Sequence, residues 1–346
     1  MILRETTLEG FAEQIRKRRQ KIVLYGCGVI GKIAAPSYIV SIHMEEQVLF
    51  YVDRDRRKQG QRITVGERQL EICAPEMLER VQESFILLIT GSRWAEILEF
   101  LNEKPYLDAI CGYIFPQMLL KASTNMEAIC QVRRTPMPII PKVIHYCWFG
   151  RGKMSDKMRE YMESWKRCCP EYEIKEWNED NYDINRYQYT NQAYKHKKWA
   201  FVSDVARLDI LYENGGIYMD TDVELIKNLD ELLYQPAFCG VEKWRHINTG
   251  GCCGAVAKHT AIRKMLECRM EIPFENPDGS FNMESSGSYE TMPLMEDGYV
   301  PDNHIQIIDG MTIYPSDFFH PFDYMSKEIR MTENTYSIHH FEGSWI

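Results

Sequence analysis

Two aspartates one residue apart, Asp220 and Asp222, end the short apolar run Ile217-Tyr218-Met219. Burying two like charges at the end of a strand is costly unless a cation compensates them. In an extended backbone residues i and i+2 project to the same side, so both carboxylates can converge on one hard divalent ion. Such an ion prefers oxygen ligands and leaves positions open for phosphate oxygens, where it acts as a Lewis acid. Asp-x-Asp alone is common in solvated turns. Here it follows an apolar strand, and a helix stopped by Gly215-Gly216 precedes that strand. Upstream, Asp204 and Arg207 are three apart and share a helix face, where they pair with each other or reach the same ligand. As a bare surface pair they would contribute only about 0.5 kcal/mol.

The elements that must carry these side chains are legible in the periodicity. Val202, Val205, Ala206, Leu208, Leu211 and Tyr212 mark a helix, with Ser203 or Asp204 near its start and the two glycines as its left-handed stop. Before it, Lys142 to Trp148 reads as a strand running into the glycine loop Phe149-Gly150-Arg151-Gly152, a place where α/β folds seat ligands. Ser155-Asp156 caps a helix with Met158, Met162 and Trp165 on one face and Pro170 beyond it, and Tyr172 to Trp177 is a further strand.

Prolines 136, 138 and 141 forbid a helix and favour an extended connector, so a seam is expected there. The reading is an α/β protein: residues 1–130 a Rossmann-like parallel-sheet domain, 131–141 a linker and 142–346 the larger domain. In the first, the apolar run Lys21 to Tyr25 leads into Gly26, Gly28 and Gly31, and a second run, Val48 to Val52, ends at Asp53. This is the order of a dinucleotide-binding unit, with glycines for the tight turn and phosphate approach and an acid about 20 residues on for a ribose hydroxyl. The alternative is that the glycines serve only close helix–strand packing, and the fingerprint does not decide between them. Phe85 to Thr90 reads as one more parallel strand.

A chain of 346 residues suits two domains, and its formal net charge of -9 opposes duplex nucleic-acid binding, which needs a basic surface. Its 11 cysteines include the adjacent pairs Cys168-Cys169 and Cys252-Cys253, which suit neither a zinc site nor a disulfide framework, so reduced thiols are expected. Residues 1–20 lack the apolar core of a signal peptide and no later run reaches the ~18 apolar residues of a membrane span, which suits a cytosolic protein.

Four stretches in order, residues 140–150 (Ile-Pro-Lys-Val-Ile-His-Tyr-Cys-Trp-Phe-Gly), 203–207 (Ser-Asp-Val-Ala-Arg), 211–222 (Leu-Tyr-Glu-Asn-Gly-Gly-Ile-Tyr-Met-Asp-Thr-Asp) and 339–345 (His-His-Phe-Glu-Gly-Ser-Trp), resemble the motifs of glycosyltransferase family 32, the DXD-containing sugar transferases that include initiating mannosyltransferases and bacterial capsule enzymes. The likeness runs over roughly residues 138 to 346 and implies a GT-A fold with retention at the anomeric carbon. It implies Mn²⁺ or Mg²⁺, a nucleotide-sugar donor with a UDP-hexose favoured, and a glycan or lipid-linked glycan acceptor at the inner face of a membrane. By position, His145 and Trp148 would lie at the donor, with Trp148 stacking on the base. Asp204 and Arg207 would hold sugar hydroxyls and diphosphate, and Asn248 would be a further donor contact. Asp220 would meet ribose or sugar and Asp222 the metal. His340 is the expected distal ligand: it and its rival His339 are neighbours on a strand and point to opposite faces, so only one can face the metal, and the His-x-x-Gly spacing favours His340. Ser344 and Trp345 would close over the phosphates. Gly250-Gly251-Cys252-Cys253 and Ser286-Gly287-Ser288 depart from the family's usual sequence. The competing reading is a dinucleotide sensor or scaffold built on Gly26 to Gly31, with an inactive second domain.

Overall fold

The computed structural model describes residues 1–122, 134–270 and 272–342. The chain divides into two compact units, Met1–Thr124 with Val300–Asp302, and Asn125–Tyr299 with Asn303–Ile346.

The first unit holds strands β1 (Ile2–Leu3), β2 (Lys21–Tyr25), β3 (Val48–Val52), β4 (Arg62–Val65), β5 (Arg68–Cys73), β6 (Phe85–Ile89) and β7 (Cys111–Ile114), with helices α1 (Leu8–Arg18), α2 (Ala35–Ser41), α3 (Trp94–Asn102) and α4 (Phe115–Lys121). Its sheet runs β1-β7-β6-β2-β3-β5-β4. All neighbours are parallel except the β4–β5 hairpin. Parallel strands covered on both faces need apolar side chains at every position, and all five residues of β6, Phe-Ile-Leu-Leu-Ile, are buried. The α/β class read from the sequence is what is observed.

The second unit begins with β8 (Val143–Cys147), α5 (Asp156–Cys168), β9 (Glu173–Trp177), α6 (Gln188–Lys195), α7 (Trp199–Asn214), β10 (Gly216–Tyr218) and β11 (Val223–Leu225). It continues through β12 (Ala237–Val241), β13 (Ile247–Asn248), β14 (Cys253–Ala255), α8 (Thr260–Met270), α9 (Ser286–Glu296), β15 (Gln306–Ile308), β16 (Met311–Tyr314), α10 (Ser316–Phe319), β17 (Phe322–Asp323), β18 (Glu328–Ile329) and β19 (Ser337–His339). The main sheet runs β15-β16-β12-β14-β10-β8-β9, with β13 on β12, while β11 and β19 form a separate two-stranded ribbon.

This mixed sheet divides two cores, and strand alternation sorts residues between them. Ile217 and Met219 join Trp165 of α5 in one core, whereas Tyr218 joins Val202, Val205 and Ala206 of α7 in the other. The continuation beyond Tyr218 therefore brings Asp220 to the α7 side. Helix α5 begins as the sequence indicates, with Ser155 accepting from Met158 N–H at 3.2 Å. Helix α7 begins earlier than expected, at Trp199, so Ser203 and Asp204 lie inside the helix rather than at its cap. It ends at Gly215, φ +68°, where the N–H returns to Leu211 O. Gly216, φ +96°, passes so close to β8 that a Cβ would lie 2.8 Å from His145 Nε2. Every cysteine among the described residues is a free thiol. No helix among the described residues is long and apolar enough to cross a membrane.

Candidate active site

Asp220 and Asp222 are brought together by a turn rather than by the extended strand expected from the sequence. Strand β10 stops at Tyr218, and Val223 N–H closes the turn on Asp220 O at 3.1 Å. Ribbon β11–β19 then pairs Val223 with His339. The result is one cluster: Asp220, Asp222 and His339 each offer a ligand atom, all within 4.8 Å of one another. Helix α5 steadies the ribbon, since Trp165 Nε1 donates to Val223 O at 2.7 Å and Leu225 N–H to Ser164 Oγ at 2.8 Å.

His340, the expected distal ligand, is elsewhere. Its Nε2 lies 3.0 Å from Glu224 Oε2, and its ring stacks on Tyr161 at 4.2 Å and 11°. Neighbouring side chains on a strand point to opposite faces, and the β11–β19 register turns His339 to the acids, with Nε2 3.3 Å from Asp222 Oδ1. The segment then curls back over Asp222. Phe341 adopts φ +49° and stacks on His339 at 4.0 Å, and Glu342 N–H donates to Asp222 Oδ2 at 2.9 Å.

The charges in this cluster are held unequally. Burial pushes the Asp222 carboxyl up, but the charge and hydrogen bond of His339 and the Glu342 N–H outweigh it and hold it at about 2. Burial raises Asp220, against the opposing pull of Arg207 and His339, and Asp222 and Asp204 raise it further as like charges. For His339, burial favours the neutral ring, yet Asp222 and Asp220 prevail and raise it. Two half-buried carboxylates and one buried imidazole in this arrangement are a donor set for a divalent cation. The like-charge strain at Asp220 is what such an ion would relieve.

Beside the cluster, Arg207 is 5% exposed and pairs with Asp204 at 2.5 Å, as their spacing on one helix face predicts. It also lies 3.5 Å from Asp220 Oδ2. Tyr218 OH donates to Asp220 Oδ1 at 3.0 Å, and Asp220 N–H to Gly250 O at 2.8 Å. Asn248 acts on the same loop, its Oδ1 accepting from Gly250 and Gly251 N–H at 3.0 and 3.1 Å. Trp148 is half-buried and donates from Nε1 to Gly152 O at 2.8 Å.

His145 is not available to a donor. It is 2% exposed, its Nε2 lies 3.0 Å from Gly215 O and its Nδ1 accepts from Trp177 Nε1 at 3.0 Å. Burial pushes it down to about 4, so it is a neutral strut between β8, β9 and the end of α7. Ser344 and Trp345 lie outside the described residues. Sequence reasoning missed Thr249 and Glu290. Glu290 sits in a helix as Tyr-Glu-Thr, where nothing in the pattern separates it from a solvated acid.

In the first unit the glycine loop closes on itself. A Cβ on Gly31 would lie 2.0 Å from Gly26 O, and one on Gly26, φ +111°, would lie 2.9 Å from Gly91 N, whereas Gly28 faces open space. Asp53, expected to meet a ribose, instead accepts from Cys27 N–H at 2.7 Å and lies 3.5 Å from Lys58 Nζ. Two of the three glycines thus serve close packing, and the acid is tied to the loop's own backbone.

Residues 155–265 match the family described as the glycosyltransferase sugar-binding region containing the DXD motif. The chain is 26% identical over 196 residues to an uncharacterized glycosyltransferase of Acanthamoeba polyphaga mimivirus, covering 52% of this chain and 75% of that protein. It is 34% identical over 114 residues to inositol phosphoceramide mannosyltransferase 3 of Schizosaccharomyces pombe, covering 29% of each. Among solved structures, the PaToxG glycosyltransferase covers 47% of this chain and 72% of its own at 16% identity and a TM-score of 0.36. The chain thus spans three quarters of the viral protein and under a third of the S. pombe enzyme. With Asp220, Asp222, Asp204 and Arg207 all inside the matched segment, residues 155–265 are a DXD-type glycosyltransferase sugar-binding region, and the chain that carries it is a glycosyltransferase.

Proposed function

We propose that the protein is a metal-dependent, retaining hexosyltransferase that uses a nucleoside diphosphate sugar, a UDP-hexose favoured, and a glycan or lipid-linked glycan acceptor, in bacterial surface polysaccharide synthesis. The observation that carries this reading is the convergence of Asp220, Asp222 and His339 beside the Asp204–Arg207 pair. Asp222, Asp220 and His339 would hold Mn²⁺ or Mg²⁺, which when bound neutralises the diphosphate and stabilises the charge on the departing phosphate. Arg207, held by Asp204 and facing Asp220, is placed to bind a phosphate oxygen or sugar hydroxyl. Trp148 would stack on the base. In the reaction the bond from the anomeric carbon to the phosphate oxygen breaks and a bond to the acceptor oxygen forms on the same face, the acceptor proton passing to the leaving diphosphate.

We place this activity in residues 142–346, with 131–141 as the connector and 1–130 as an accessory Rossmann-like domain, working at the cytoplasmic face of a membrane. The S. pombe relative is named for mannosyl transfer to a lipid, and this supports GDP-mannose as the second donor to test. The experiment is donor turnover across UDP-glucose, UDP-galactose, UDP-N-acetylglucosamine and GDP-mannose, with and without Mn²⁺. Release of nucleoside diphosphate from one donor is expected only with the metal, and it should fall at least ~100-fold in Asp222→Ala. Metal-independent turnover, or an undiminished rate in Asp222→Ala, would overturn the reading.

A further inference from the structure

Glu290, on α9, is a carboxylate enclosed behind the site and only 1% exposed. Both of its oxygens are engaged by a single residue: Oε2 accepts from Thr249 N–H at 2.9 Å and Oε1 from the Thr249 hydroxyl at 2.7 Å. Burial pushes the acid up to about 6, with Arg207 the principal opposing charge. A buried acid that merely filled space would be replaced without loss by an apolar side chain. Here its hydrogen-bonding capacity goes to fixing one loop.

That loop reaches the first carboxylate directly. Thr249 precedes Gly250, whose carbonyl accepts the Asp220 N–H at 2.8 Å. A Cβ on Gly250 would lie 2.1 Å from Asp220 Oδ2 and 2.6 Å from Arg207 Nη1, so bare backbone is packed against both charged groups. Asn248 fixes the same turn from its other side. A displacement of Thr249 is therefore a displacement of Asp220 and Arg207.

We propose that Glu290 is a positioning residue for the candidate metal site, acting through Thr249 and Gly250 to fix the place of Asp220 and of Arg207 beside it. This rests on the preceding reading that Asp220 and Asp222 hold a divalent cation. The chain of contacts is continuous: carboxylate to Thr249, Thr249 to Gly250, Gly250 to Asp220.

The test is Mn²⁺ titration of the full chain followed by electron paramagnetic resonance, a readout independent of turnover. Glu290→Gln keeps the volume but sets an amide NH₂ against one of the two Thr249 donors. Thr249→Val removes the hydroxyl, and Thr249→Ser restores it. Each variant is first melted, and binding is compared at a temperature where all are folded. Glu290→Gln and Thr249→Val should each weaken Mn²⁺ binding about 10-fold, the lower end of the loss typical for an outer-shell partner. The double variant should be no weaker than the worse single one, since both break one relay, and Thr249→Ser should recover what Val loses. If Glu290→Gln does not fold, the Val and Ser variants decide alone: weak binding by Val with recovery by Ser supports the proposal, and equal affinity overturns it. Wild-type affinity in folded Glu290→Gln, or additive losses in the double variant, also overturns it. A wild-type chain that takes up no Mn²⁺ overturns the metal reading and this inference together, whereas binding by wild type with an unaffected Glu290→Gln overturns this inference alone.

Discussion

At the scale of single residues, the two adjacent histidines make opposite contributions. His339 is buried against Asp222 and stacked by Phe341, while His340 spends its ring on Glu224 and Tyr161. Removing His339 takes a donor out of the cluster, so His339→Ala should weaken Mn²⁺ binding by more than the ~10–100-fold typical of losing an outer-shell partner. His340→Ala loses one hydrogen bond and the ring contacts with Tyr161 and Phe322 and should lower stability by roughly 1–2 kcal/mol, with a much smaller effect on the metal. Calorimetric titration of both variants checks this, and a larger loss of Mn²⁺ affinity in His340→Ala would reverse the assignment. The choice between these neighbours was not legible in the sequence. Alternation guarantees that only one of them faces the acids, but which one follows from the register of β19 on β11, a pairing between segments more than a hundred residues apart.

At the scale of elements, local signals succeeded where local physics decides. The apolar stripe and paired glycines placed α7 and its end, the Ser155 cap placed the start of α5, and the spacing of Asp204 and Arg207 gave their pairing. They failed where distant segments decide. The Asp-Thr-Asp run turns instead of extending because Gly250 and the β11–β19 ribbon hold it, and Thr249 and Glu290 acquire roles only through packing. His145 shows how strongly one such contact binds three elements. Its folded-state value of about 4 lies below the ordinary 6.5, so its contribution to stability is present above pH 6.5 and is lost as pH falls from 6.5 through about 4. The loss amounts to something on the order of 3 kcal/mol. Urea unfolding across this window should show a falling midpoint for the wild type and a flatter one for His145→Gln. Equal slopes would remove His145 as the source of acid sensitivity.

At the scale of the whole molecule, each compact unit has its own apolar interior, with Val23, Leu87 and Ile89 in one and the two layers around the mixed sheet in the other. Ligands stabilise only what binds them, by about 2.7 kcal/mol at a hundredfold excess over Kd. Differential scanning calorimetry should therefore resolve two transitions, and Mn²⁺ with UDP should raise only that of the unit carrying residues 155–265. A shift of both transitions together would show that the first unit also takes part in binding, against the closed glycine loop seen there.

The hydrogen bond from the Glu342 N–H to the Asp222 carboxylate spans 120 residues of sequence. On the ribosome, at 5–20 residues per second, the acids emerge roughly 6–24 seconds before the segment that covers them. For that interval the nascent chain carries its carboxylates without their imidazole partner. A premature stop codon anywhere in that interval yields a polypeptide that retains the DXD sequence but lacks the enclosure around it.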